Sequence, residues 1–354
     1  MEETLAFLGP GQASGELELR LGALRRRFAD AQQPRPAIFW ADLAASAGIG
    51  WSAFALAGSA APGSALSWVA LVAATLALYR AVLFIHEIAH IKRKAVPGFE
   101  VVWNLMVGLP LMVPSLMYVG SHRDHHDVNL YGTELDPEYE PVAYWSPLRI
   151  VGSFLVMPLL PPLLALRWGV IGPVSRLFPV LRPFVVGHLS TLVINARYRR
   201  ALPVRGDARR WLLEETGGAL YFWTAVVAFA LGGLDPHWLW IWYAVGVGIL
   251  LLNHARTLAA HRYESRGEKL DWTGQLIDSV NLPGVPVLTV LAAPVGLRYH
   301  GLHHMMPGLP YHSLGAVHRS LLAELPEDSP YRSTETPGVL ATLGQLLRRA
   351  AGSR

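Results

Sequence analysis

Four apolar stretches, at about 38–57, 64–85, 218–233 and 237–254, constrain this chain more than any other feature. Each approaches the ~20 residues that a helix needs to cross a bilayer's hydrocarbon core. Hydrophobic residues make up 52% of the 354 and charged ones only 16%, too apolar a balance for an ordinary soluble domain. The expected fold is therefore an all-α integral membrane protein with about four transmembrane helices. The start, MEETLAF, is acidic and no signal-type apolar region follows it.

Charge orients these helices. The net charge of +4 is carried almost wholly by Arg, since Lys stands only at 92, 94 and 269. KRK at 92–94 follows the second stretch, and six Arg lie between 197 and 210. By the positive-inside rule both places face the cytoplasm. Beside membrane segments, such Arg residues set orientation and do not point to nucleic acid. The scarcity of Lys suggests a GC-rich, bacterial genome. Residues 1–35 read as a cytosolic N-terminal tail, 36–320 as the membrane domain, and 321–354 as a cytosolic C-terminal tail.

The segment 101–120 is apolar but carries Gly108, Pro110 and Pro114. Histidine clusters abut both of its ends, so a single crossing would split them across the membrane. A re-entrant or interfacial hairpin keeps them together, and broken backbone at membrane depth is tolerated where protein covers it. The run 148–195 contains six prolines and reads either as two spans or as a segment lying along the interface.

The chemistry lies in those histidines. Eight of fourteen fall into three clusters: His86/His90 (HEIAH), His122/His125/His126 (HRDHH) and His300/His303/His304 (HGLHH). His261 stands alone upstream of the last. Spacings of three and four put imidazoles on one helix face, and neutral imidazole is the commonest metal ligand. HEIAH alone matches the zinc-protease pattern HExxH. A catalytic zinc uses three protein ligands, however, and here there are far too many. Nine imidazoles divide naturally over two ions, in a cytosolic histidine-rich cap. A metal-binding transporter or sensor would instead place charges inside its spans. Cysteine is absent, which excludes disulfides, Cys-ligated zinc and any iron–sulfur cluster held by this chain. A redox enzyme of this kind must draw electrons from another protein.

HEIAH, HRDHH and HGLHH, with RTLAAHRYES before the last, resemble the membrane fatty acid desaturase superfamily, the bacterial desaturases most closely. HRDHHDVNLYGTELDPE also resembles the sphingolipid (dihydroceramide) desaturases. The likeness runs from about 80 to 320. It implies a cytosol-facing di-iron site ligated by His86, His90, His122, His125, His126, His261, His300, His303 and His304. It further implies O2 as co-substrate, a fatty acyl or sphingolipid substrate, and a ferredoxin or cytochrome b5 type of donor. The expected reaction is desaturation of an acyl chain; hydroxylation by the same core is the alternative. Glu87, Asp124, Asp127, Asp136, Asp278 and His312 are candidates to orient the ligands, since a ligating His usually donates its other N–H to a carboxylate. Animal acyl-CoA desaturases carry an Asn four residues before the late single His, where it reaches metal through water. Thr257 stands there in this chain, so that role and a CoA-linked substrate do not carry over.

Overall fold

A computed structural model describes residues 22–352. It is helical throughout, and among the described residues β-pairing is limited to isolated bridges. Three segments are long and apolar enough to cross a membrane: Ala65–His90, Pro147–Leu177 and Pro236–Leu258.

Helices α1 (Pro36–Ser59) and α2 (Ala65–His90) form the first hairpin. Ser64 caps α2 by accepting the Ser67 N–H at 3.2 Å. Without a hydrophobic drive between helices in lipid, close packing relies on small residues. A Cβ on Gly50 of α1 would lie 2.6 Å from Leu78, and one on Gly248 would lie 2.7 Å from Thr75. Glycine thus seats a neighbour on each flank of α2.

The expected hairpin at 101–120 is present in detail. Helix α3 (Phe99–Trp103) loosens into a π-turn at Asn104–Gly108; the chain then reverses, and α4 (Leu116–His125) begins. Asn104 clasps the two arms. Its Oδ1 accepts the Ser115 N–H at 2.8 Å, and its Nδ2 donates to Ser115 Oγ at 2.9 Å. The reversal strands carbonyls that a continuous helix would have paired. Aromatic side chains supply the missing donors: Trp51 to Met106 O (2.7 Å), Trp242 to Pro110 O (2.9 Å) and Trp168 to Met112 O (3.0 Å). Tyr221 likewise donates to Leu105 O. Buried carbonyls left unpaired in such a place would cost ~1–3 kcal/mol each.

Residues 147–177 form one interrupted helical run, with a 3-10 stretch at Phe154–Leu159 and a π-turn at Arg167–Ile171. Its length and composition allow a crossing, but its path bends. Arg167, Arg176 and Arg182 all donate to the single carboxylate of Glu215, at 2.9, 2.9 and 2.8 Å. A straight helix would carry residues 167 and 182 ~22 Å apart, so the chain folds back around Glu215.

The other two long helices are α5 (Arg205–Ala230) and α6 (Pro236–Leu258), joined by a short turn in which Asp235 caps α6 through the His237 N–H at 2.7 Å. Beyond it come α7 (Trp272–Asp278), α8 (His300–Met305), α9 (Tyr311–Glu324) and α10 (Val339–Gly352). Both ends of the described residues pack onto this cap. Leu24 is buried with Leu302 and Leu321, and Leu346 with Tyr139 and Tyr263. Residues 1–21 of the N-terminal tail lie outside the described residues.

Replacing Asn104 by Leu removes both clasp bonds and leaves the Ser115 N–H buried. The expected cost is ~1–3 kcal/mol, read as a lower melting temperature in detergent.

Candidate metal centre

Helix ends bring the histidines together. His86 and His90 occupy the last turns of α2, and His122, His125 and His126 the end of α4. His261 follows α6 in an extended stretch bridged to Ser279, and α8 carries His300, His303 and His304. All nine imidazoles converge in two groups. His86, His90, His122, His126 and His303 form one, and His125, His261, His300 and His304 the other. Within each group the donor atoms lie within 4.8 Å of one another. Neighbours in sequence therefore serve different groups, His125 against His126 and His303 against His304. Since all three clusters meet, the segments carrying them share one face of the membrane.

The spacings fit metal ions. His303 Nε2 lies 3.1 Å from both His90 Nε2 and His126 Nε2. His300 Nε2 lies 2.9 Å from His261 Nε2 and 3.0 Å from His304 Nε2. One ring nitrogen either donates or accepts in its plane, so it cannot bond two such neighbours at once. Nitrogens held at ~2.1 Å from a common ion at right angles stand ~3.0 Å apart, which matches. His86 Nε2 and His125 Nε2 are buried with no hydrogen-bond partner, as donors aimed at a cation would be. Two groups of five and four imidazoles can therefore hold two ions.

Three of the outer ring nitrogens, on His125, His261 and His122, are held from behind. His125 Nδ1 lies 2.9 Å from Asp136 Oδ1. Asp136 is itself held by the backbone N–H groups of Gly132 and Glu138, each at 2.9 Å. His261 Nδ1 is 3.3 Å from Asp278 Oδ2, and Asp278 accepts hydrogen bonds from Tyr131 and Tyr139, both at 2.9 Å. His122 Nδ1 is 2.7 Å from Glu138 Oε1 and 2.8 Å from the Tyr118 hydroxyl.

Electrostatics follow. Burial, then neighbouring imidazoles, hold His126, His300 and His304 well below the usual histidine range. They stay neutral, as metal ligation requires. Burial also lowers His125, but Asp136, with Glu138 and Asp278, more than offsets it, and the net shift is upward. Burial pushes the Glu138 carboxyl up to about 7.

Of the sequence candidates, Asp136 and Asp278 lie beside ring nitrogens of His125 and His261; the others make different contacts. Glu87 is 3.8 Å from His86 Nδ1, too far for a hydrogen bond, and accepts the Tyr311 N–H at 3.1 Å. Asp124, two residues from His122, points to the far side of α4 and meets Tyr198 at 2.5 Å. Asp127 follows the helix end and caps a turn at Asn129. His312 accepts the Arg35 N–H at 3.1 Å and belongs to neither group. Thr257 Oγ1 accepts from Arg256 at 2.8 Å. Glu138, Tyr131 and Tyr139 escaped the sequence reading. Glu138 lies in the turn after Asp136, whose carboxylate accepts its N–H at 2.9 Å.

An internal cavity of about 270 Å³ opens beside the first group. His86, Tyr118 and Glu138 line it, with Val82, Met157 and Leu250 among its apolar walls.

Two metal ions per chain are expected by elemental analysis. His303→Ala should empty the five-histidine group first and His300→Ala the four-histidine group. Asp136→Asn should weaken metal retention ~10–100-fold, measured by chelator competition.

The fatty acid desaturase profile matches residues 62–335. A protein described as "Ceramide hydroxylase", from Caulobacter vibrioides (strain NA1000 / CB15N), is 41% identical over 325 residues, covering 90% of this chain and 91% of its own length. The chain belongs to the fatty acid desaturase family.

Proposed function

We propose that this chain is an O2-dependent lipid hydroxylase that acts on a ceramide-type substrate through two irons. The observation that carries it is the 41% identity, over nearly the full length of both chains, to the ceramide hydroxylase. The balance is that of a monooxygenase. One C–H bond of the lipid becomes C–OH, the second oxygen atom leaves as water, and two electrons and two protons enter from outside. Alkyl C–H bonds are unactivated, so no acid–base group suffices; bound iron supplies the one-electron and O2 chemistry.

The protein's own residues do the rest. The nine histidines hold the metals, and Asp136, Asp278 and Glu138 fix ring orientation from behind. Apolar walls keep bulk water from the reacting carbon. Lys92, Arg93 and Lys94 directly after α2, with the six Arg before and within the start of α5, favour a cytosolic site, and the Arg-for-Lys bias fits a bacterial cytoplasmic membrane. Four crossings, by α1, α2, α5 and α6, would give that orientation, and α2 and α6 are long and apolar enough to make theirs. With no cysteine in the chain, the electrons come from a separate ferredoxin or cytochrome b5 type of protein.

Desaturation is the second reading. HRDHHDVNLYGTELDPE favours it through its likeness to dihydroceramide desaturases, and both reactions begin by removing one hydrogen. Mass spectrometry of lipids from a ceramide-containing host, supplied with a donor and isotopically heavy O2, separates them. Hydroxylation predicts one heavy oxygen in the product. A product short of two hydrogens with no added oxygen would replace it with desaturation. An unchanged lipid profile from iron-loaded protein with a working donor would sink both.

A further inference from the structure

One buried guanidinium at the site has a donor left unpaired. Arg256 lies near the end of α6, only 7% exposed, and lines the same cavity as His86. Its Nη2 donates to Asn253 Oδ1 at 3.2 Å and to Thr257 Oγ1 at 2.8 Å, and its Nε has no partner. Among the described residues Arg256 makes no direct ion pair, although its charge acts on the Glu138 carboxyl across the same cavity; the other buried guanidinium, Arg167, meets Glu215 directly. A buried donor without an acceptor is costly, so its retention beside a cavity calls for a ligand that accepts from it.

From this we infer that Arg256, with Asn253, anchors the polar end of the lipid substrate. The inference rests on the lipid-oxidising function proposed above and adds where the headgroup sits. Two features select the chemistry. Arg256 and the Asn253 amide can present donors, while Glu138 and Thr257 on the same wall can accept. A carboxylate only accepts, whereas an amide with hydroxyls does both. A neutral N-acyl amino-alcohol headgroup therefore fits better than a free fatty acid.

Position carries a second consequence. Both the anchor and His86 border the same cavity, so a headgroup held by Arg256 sits beside the histidine cluster. Oxidation therefore falls within a few bonds of the headgroup, and the remaining hydrocarbon continues along Met157, Leu160, Leu192 and Leu250. Arg256 is a positioning residue, not a metal ligand.

Binding and regiochemistry test this. Purified metal-loaded protein in detergent is titrated with a ceramide, the matching free fatty acid and a phospholipid, and occupancy is read by native mass spectrometry. The expected order places ceramide tightest. Arg256→Gln should lose at least tenfold in ceramide affinity with two metals retained, and Arg256→Lys should recover part of it. In turnover, KM should rise more than kcat falls, and the new oxygen should scatter along the chain. Unchanged ceramide affinity in metal-replete Arg256→Gln overturns the anchor; tighter binding of the fatty acid overturns the headgroup choice. Should Arg256→Gln lose its metals, Asn253→Leu is judged by the same readouts. Arg256-dependent ceramide binding without any oxidation by the wild-type protein would remove the proposed reaction and leave the anchor standing.

Discussion

The reversal of the chain between Asn104 and Ser115 is the constraint on which the site depends. HEIAH ends one helix and HRDHH ends the next, and an apolar segment lies between them. Had that segment crossed the bilayer, the two clusters would have finished on opposite faces. The side chain of Asn104 holds the arms together, and three indoles and a phenol satisfy carbonyls that the reversal exposes. Hydrocarbon offers no water to do that work. Several of the chain's tryptophans are thus not simply an interfacial belt; they make a broken backbone tolerable where it must break.

A second layer fixes what the first brings together. Nine imidazoles, each with two usable nitrogens, could rotate into many arrangements. Asp136, Asp278 and Glu138 remove that freedom for His125, His261 and His122 by holding their outer nitrogens. These carboxylates are secured in turn by backbone N–H groups and by tyrosines, so the restraint passes from ring to acid to scaffold. Packing of both ends of the described residues onto the cap, through Leu24 and Leu346, closes this layer from outside.

Much of this was readable in order along the chain. Helix-compatible spacing identified eight of the nine histidines, and the prolines with Gly108 announced the reversal. The carboxylates were only half legible. Asp136 and Asp278 stood out among charged residues near the clusters, but so did Asp124 and Asp127, and proximity in sequence misled for both. Asp124 sits two residues from His122, which on a helix places it on another side. Glu138, sixteen residues from the ring it holds, gave no local signal. The run 148–195 was ambiguous because hydropathy records whether a segment tolerates lipid, not its path; the three arginines gathered on Glu215 decide that.

By itself, then, the sequence determined an α-helical membrane protein and a polyhistidine centre sized for two metals, because helix periodicity and apolar length are local properties. The tertiary structure alone decided the division into five and four, with His125 and His126 assigned to different groups. It alone also placed Arg256 against His86. Both depend on where four separate chain segments end in space, and no spacing along one segment carries that information.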